Sequence, residues 1–271
     1  MGRSYLAFAM RLRWLAAAAG LVAVACATSP LGRQRLLLFP DAEIAKLGAA
    51  SFDKMKREMP QATDPVLESR VRCVAGAIIA RLDGGTLRSW EILVFRDDTP
   101  NAFALPGGKI GVNTGLFSVA RNQDQLATVL GHEVAHVVAQ HSNERVSTAY
   151  AAESGLQLAQ ALSGAPGAEQ SQLLALLGLG AQVGILLPYG REQEQEADLI
   201  GLDLMADAGF DPRESIALWQ NMAQAGGGQP PEFLSTHPSH GTRIQGLAQR
   251  MPEALARAEA AQRRGARPAC G

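Results

Sequence analysis

The stretch Leu130-Gly131-His132-Glu133-Val134-Ala135-His136-Val137 decides how the rest of the chain is read. Leu126, Val129, Leu130, Val134 and Val137 recur at the spacing of one helical face, and Asn122 with Gln125 three residues later has the pattern of a capping box that starts the helix. At about 3.6 residues per turn, His132 and His136 stack on one face. Both imidazoles can then reach a single metal ion, while Glu133 sits about 100° round the helix, beside a metal-bound water. The spacing is that of the HExxH zinc hydrolases. Taken alone it is also the pattern of an exposed helical pair with an intervening acid, so the flanking sequence has to decide.

A zinc hydrolase needs a third protein ligand and one position left open for water. Arg191-Glu192-Gln193-Glu194-Gln195-Glu196-Ala197-Asp198 supplies candidates, because Glu194 and Asp198 stand four apart and so share a helical face. Glu194 reads as a ligand, and Asp198 as the acceptor for the second N–H of a zinc-binding histidine, which would fix its tautomer. Glu192 and Glu196 read as a solvated acidic face, and Arg191 as a partner for a carboxylate in the site.

Outward from these two segments the pattern is mixed. Residues 41–59 and 65–82 have apolar spacing suited to helices, the second with Asp64 as N-cap and Pro65 at the first helical position. Gly84-Gly85 breaks the pattern, and residues 90–95, 102–105 and 109–113 read as short strands, the last two joined by Pro106-Gly107-Gly108. Most of the chain beyond residue 122 reads helical. The expectation is an α+β, helix-dominated, zincin-like domain whose small sheet carries an edge strand, Asn101, Ala102, Phe103, Ala104 and Leu105, along the HExxH helix, where it would pair with an extended substrate. Residues 173–187 are very apolar but too short to span a bilayer. A buried helix and a mobile cover over the cleft both remain open there.

Lys plus Arg is 25 against 26 for Asp plus Glu, so charge makes no case for nucleic acid as a partner. At the N-terminus, Arg3, Arg11 and Arg13 precede an apolar run that ends in small residues, the pattern of an export signal. Leu21-Val22-Ala23-Val24-Ala25-Cys26 resembles the lipobox of bacterial lipoproteins, which would make Cys26 a lipidated first residue. A soluble secreted form and an uncleaved anchor are the alternatives, in that order. Ala27 after the cysteine, where Asp would favour inner-membrane retention, points to the outer membrane, facing the periplasm. The two remaining cysteines, Cys73 and Cys270, are candidates for a disulfide, against a buried thiol and a loose tail. The expected organisation is a signal over residues 1–25, a linker over 26–40 and a single metallopeptidase domain over 41–271.

Four blocks in order resemble the HExxH gluzincin family that includes the CAAX prenyl protease, HtpX, the mitochondrial Oma proteases and the BepA or LoiP type of periplasmic protease. They are Asn101-Ala102-Phe103-Ala104-Leu105-Pro106-Gly107-Gly108, then Leu130 with the HExxH segment, then Arg191 to Gly201, then Thr236-His237-Pro238-Ser239 with Arg243-Ile244. The resemblance is to the lipoprotein branch. It implies Glu194 as third ligand, His237 beside the zinc, and Arg243 in support of the site with Asp198 and Arg191. Gly190 departs from the pattern, since Ser commonly stands there.

The reading is therefore one zinc ion per chain held by His132, His136 and Glu194, with Glu133 as general base and His237 as a further catalytic or inhibitory group. The resemblance implies an endopeptidase that degrades misfolded or misassembled envelope proteins. The rival is a non-catalytic, metal-stabilised lipoprotein acting as a chaperone, for which Glu133 would have no use.

Overall fold

The computed structural model describes residues 26–82, 90–163, 189–225, 237 and 242–271. The expected signal over residues 1–25, the Gly84-Gly85 break, the apolar stretch 173–187, and the residues flanking His237 that carried part of the resemblance lie outside this set.

A hairpin of β1 (Cys26–Thr28) and β2 (Gln34–Leu36) comes first, antiparallel, with Cys26 opposite Leu36. These residues were expected as a linker. Instead they dock on the body: Leu38 donates its N–H to Ser147 Oγ at 2.8 Å, Asn143 Nδ2 donates to the Phe39 carbonyl at 2.8 Å, and Arg35 donates to the Ala139 carbonyl. Helices α1 (Asp41–Glu58) and α2 (Pro65–Ile79) follow, within three residues of the expected ends. Asp64 caps α2 by accepting from the N–H groups of Val66 and Leu67, with Pro65 in the first turn.

Strands β3 (Glu91–Phe95), β4 (Ala102–Leu105) and β5 (Lys109–Asn113) form a sheet ordered β3-β5-β4, in which β3 and β5 are parallel and β4 is antiparallel to β5. The β4–β5 turn is tight because Gly107 and Gly108 both take positive φ, open to glycine at little cost. β4 is thus an edge. Its Ala102 and Ala104 are buried and contribute to the main core, while Phe103 packs with Phe52 and Phe95 in a second cluster.

Helix α3 (Gln123–Val138) begins where Asn122 Oδ1 accepts the Gln125 N–H at 2.8 Å. The return arm of the expected capping box goes elsewhere, since Gln125 Oε1 accepts from the N–H of Arg121. Leu126, Leu130 and Val134 are fully buried on one stripe of α3 with Val74, Ile78, Ile92 and Ile110. Burying a leucine contributes about 1.5–3 kcal/mol, and this stripe holds the histidine-bearing face towards the later helices. These are α4 (His141–Ser163), α5 (Arg191–Asp207), α6 (Glu214–Ala225) and α7 (Thr242–Arg263). The fold is α+β and helix-dominated, with the edge strand flanking the HExxH helix in the zincin manner.

Two glycines set how closely α3 and α5 cross. A Cβ on Gly131 would lie 2.8 Å from the Gly201 carbonyl oxygen, and one on Gly201 would lie 2.7 Å from the His132 nitrogen. Neither glycine is at a turn; each removes a side chain so that two backbones can touch. Cys73 on α2 and Cys270 beyond α7 are joined by a disulfide. Among the described residues no helix is long and apolar enough to cross a membrane.

Candidate metal centre

The close crossing of α3 and α5 puts Glu194 and Asp198 against the two histidines of the HExxH segment. His132 Nε2 and His136 Nε2 face each other at 3.0 Å. Each lies 3.5 Å from a different oxygen of Glu194. His237, brought in from a distant part of the sequence, places Nδ1 2.9 Å from Glu194 Oε1 and 3.2 Å from His132 Nε2. One ligand atom from each of His132, His136, Glu194 and His237 lies within 4.8 Å of every other, and all four residues are buried.

Hydrogen bonding fixes which way the rings present their lone pairs. His132 Nδ1 lies 3.0 Å from Asp198 Oδ1, a carboxylate that only accepts, so Nδ1 carries the proton and Nε2 the lone pair. His136 Nε2 lies 3.0 Å from it, and two ring nitrogens so close beside a carboxylate need a cation, a proton or a metal ion, between them. Glu133 Oε1 is moreover buried with no hydrogen-bond partner. A nitrogen and oxygen donor set of this kind fits a divalent transition metal and suits zinc.

The charge balance says the same. Burial opposes ionising Glu194, but the imidazoles of His132, His136 and His237 outweigh it and hold the carboxyl far below its usual range. Burial likewise opposes charging His132, yet Asp198 and Glu194 push its pKa up to about 9. Burial pushes His136 well down and Glu133 up.

Glu133 is held by the edge strand: the Ala104 N–H donates to its Oε2 at 3.0 Å. The amide expected to meet substrate therefore engages the expected base in this structure. His237 Nε2 lies 3.4 Å from Glu133 Oε1. Beside His136, a cavity of about 280 Å³ is lined by Ile44, Ala45, Pro106, Gly107 and Val137, at the far end of β4.

Arg243 supports the cluster from the first turn of α7. It donates through Nε to Asp198 Oδ2 at 2.7 Å and through Nη2 to Oδ1 at 2.5 Å, and its Nη1 lies 3.0 Å from Glu194 Oε2. Its guanidinium lies 3.8 Å over the Trp219 ring. Arg191, expected beside it, is exposed at the start of α5 and takes no part in the cluster. Arg191 is the first residue of the helix and, with Glu192, lies on the side of its first turn that faces solvent, while Gln193 and Glu194 are buried. Gly190 provides no side-chain cap there, and Gln193 Oε1 accepts the Gly190 N–H at 3.1 Å.

Glu196 is the other correction. It is buried, not solvated, because α4 and the β1–β2 hairpin cover the second flank of α5. His141, which the sequence pattern does not single out, is fully buried and lies with Nδ1 2.9 Å from His136 Nδ1 and Nε2 3.2 Å from Glu196 Oε2. Burial lowers its pKa. Gln140, at φ 52°, makes the sharp turn from α3 into α4 that folds His141 back onto His136. The signal in the sequence is the histidine itself, one of just five, standing five residues after His136.

Comparison with known proteins adds the family. The model described as Peptidase family M48 matches residues 63–251. The chain is similar to the mitochondrial metalloendopeptidase OMA1 of Schizosaccharomyces pombe, 42% identical over 67% of this chain and 52% of the relative. It is also similar to the mitochondrial metalloendopeptidase OMA1 of Homo sapiens, 31% identical over 84% of this chain and 46% of the relative. A third relative is the beta-barrel assembly-enhancing protease of Escherichia coli, 26% identical over 73% of this chain and 42% of the relative. The chain thus spans about half the length of these relatives. The expected placement as a lipid-anchored protein of the outer membrane, or a soluble periplasmic one, is overturned by these matches, whose higher identities are to mitochondrial proteins. The physical reason is that arginines without acids ahead of an apolar run are common to export signals and organelle-targeting segments, so the first 25 residues do not choose between them.

Proposed function

The chain belongs to peptidase family M48, and from that premise we propose that it is a zinc-dependent endopeptidase acting on misfolded or misassembled proteins. The observation that carries the reading is the convergence of the His132 and His136 Nε2 atoms and Glu194 on one buried point, with Glu133 beside it. His132, His136 and Glu194 would hold the ion. Zinc in such a set supplies Lewis acidity towards a water and a peptide carbonyl.

The remaining steps fall to the chain's own groups. Glu133 takes the proton of the attacking water and returns it to the departing amine; burial, which raises its pKa, suits it to hold that proton in between. An extended substrate adds beside β4, and the Ala104 amide passes from Glu133 to the substrate backbone. Strand addition reads backbone and not sequence, which suits substrates defined by being unfolded. His237 lies close enough to serve as a fourth ligand in a resting state, and four protein ligands would close the site to water.

Glu133→Gln tests the reading against the chaperone alternative. It should keep one zinc per chain while casein cleavage falls by about 10²–10⁴-fold. Cleavage at the wild-type rate would sink the catalytic assignment. Ala104→Pro, which removes the amide donor, should lower cleavage with zinc content unchanged. His237→Ala should raise basal cleavage if the imidazole closes the site, and lower it if it assists the reaction.

A further inference from the structure

Glu196 and His141 belong to no step above, yet both are buried and they connect the metal centre to the N-terminal hairpin. The turn between β1 and β2 wraps the Glu196 carboxylate. Arg33 donates to Glu196 Oε2 through Nε at 3.1 Å and Nη2 at 3.0 Å, and the Leu31 N–H donates to Oε1 at 3.3 Å. The same guanidinium grips Glu144 of α4, donating through Nη2 to Oε2 at 2.6 Å and through Nη1 to Oε1. Arg33 is itself set by its own N–H donating to Ser29 Oγ at 3.0 Å. A planar guanidinium bridging two carboxylates leaves little freedom to either.

The proton order along this chain is set by the one member that can only accept. Glu196, gripped by Arg33, is a carboxylate, so the proton between it and His141 belongs to His141 Nε2. A neutral His141 then carries its lone pair on Nδ1, which accepts from His136 Nδ1–H across 2.9 Å. His136 is left with its lone pair on Nε2, the nitrogen that faces His132 Nε2 and Glu194. His136 stacks on Tyr189 at 3.9 Å between centroids, which fixes the plane of the ring but not which nitrogen carries the proton.

We infer that His141 is a positioning residue for His136, and that Arg33, by seating Glu196 behind it, lets docking of the β1–β2 hairpin set the tautomer and aim of one of the two metal-facing imidazoles. The inference rests on the metal-centre reading. It assigns the hairpin a function: a segment far from α3 in sequence completes the outer shell of the site.

The test uses the full chain, and reads zinc affinity by chelator competition, the visible spectrum of the cobalt(II)-substituted protein, and the thermal midpoint of the metal-free protein. Wild type comes first, since failure to bind zinc would end the metal-centre reading irrespective of His141. Given wild-type binding, His141→Ala should weaken zinc by about 10–100-fold, the range for loss of an outer-shell partner, and alter the cobalt spectrum. His141→Asn, whose amide can reach the place of Nδ1, should recover part of the affinity. Arg33→Met, which leaves every residue of α3 and α4 in place, should weaken zinc in the same direction by a smaller factor. Wild-type affinity and an unchanged cobalt spectrum in His141→Ala and Arg33→Met would overturn the inference while the metal centre stands, and a fall in the metal-free midpoint alone would mark both as merely structural. If His141→Ala does not fold, His141→Asn and Arg33→Met decide by the same readouts.

Discussion

Glu196 and Asp198 stand two residues apart on α5, on opposite flanks, and each orients one histidine of the HExxH helix. Asp198 meets His132 directly and is held by Arg243 from α7; Glu196 reaches His136 through His141 and is held by Arg33 from the hairpin. The chemistry of the two arms is alike, but their surroundings differ. Arg243 is 2% exposed at its side chain and lies against Trp219, whereas Arg33 is 20% exposed. An interior ion pair loses most when one partner is removed, because the other is left charged away from water; at the rim, water takes over part of the role. The inner arm therefore acts as fixed structure, and the outer arm is where the centre can be adjusted.

The largest separation between the arms should come from Arg243→Met. It strands Asp198 and Glu194 together, and denaturant unfolding should show a loss of about 3–5 kcal/mol along with loss of zinc. A loss no greater than that of the rim arginine would erase the distinction between the arms. Arg33→Met should cost about 1–3 kcal/mol in the same experiment, the range for a buried acceptor losing a charged donor. Trp219→Phe, which keeps a ring over Arg243 but a poorer one, should cost least, about 1 kcal/mol.

Acid gives a further way to sharpen the contrast. Burial opposes ionising Glu196, but the hydrogen bonds from His141, Ser29 and Arg33 outweigh it and bring its pKa from 4.5 down to about 2. A depressed carboxylate stabilises the fold fully above the ordinary value and ceases to do so as pH falls through the folded value. The stability gap between wild type and Arg33→Met should thus be full above the ordinary value of 4.5 and close as pH falls towards about 2. A gap that persists undiminished at the acid end would show that Arg33 acts through packing and not through Glu196.

How far the site is legible without coordinates depends on sequence distance. His132, Glu133 and His136 fall within about one turn, and Glu194 and Asp198 within another, so helical spacing alone places each group on its own helix in reach of a common point. The strands, the Asp64 cap and the Pro106-Gly107-Gly108 turn are also legible, since each is a local conformational preference. Glu196 reads as solvated because period 3.6 turns it away from Glu194, and that flank would face solvent if α5 had nothing behind it. Arg191 misleads for the converse reason, as proximity in sequence to Glu194 does not carry it past the first turn of the helix.

What the sequence by itself determined is the chemistry and the local geometry: the HExxH helix, the carboxylate helix, the strand at 102–105 and its glycine turn, all set by backbone preferences acting over a few residues. What only the tertiary structure decided is which distant charges meet. That Gly131 lies against Gly201, that Arg243 closes over Asp198, and that Arg33 reaches Glu196 across 163 positions all depend on how the helices stack. Stacking is driven by non-directional burial of apolar surface, and nothing in the sequence of one helix names the partner that will cover its other side.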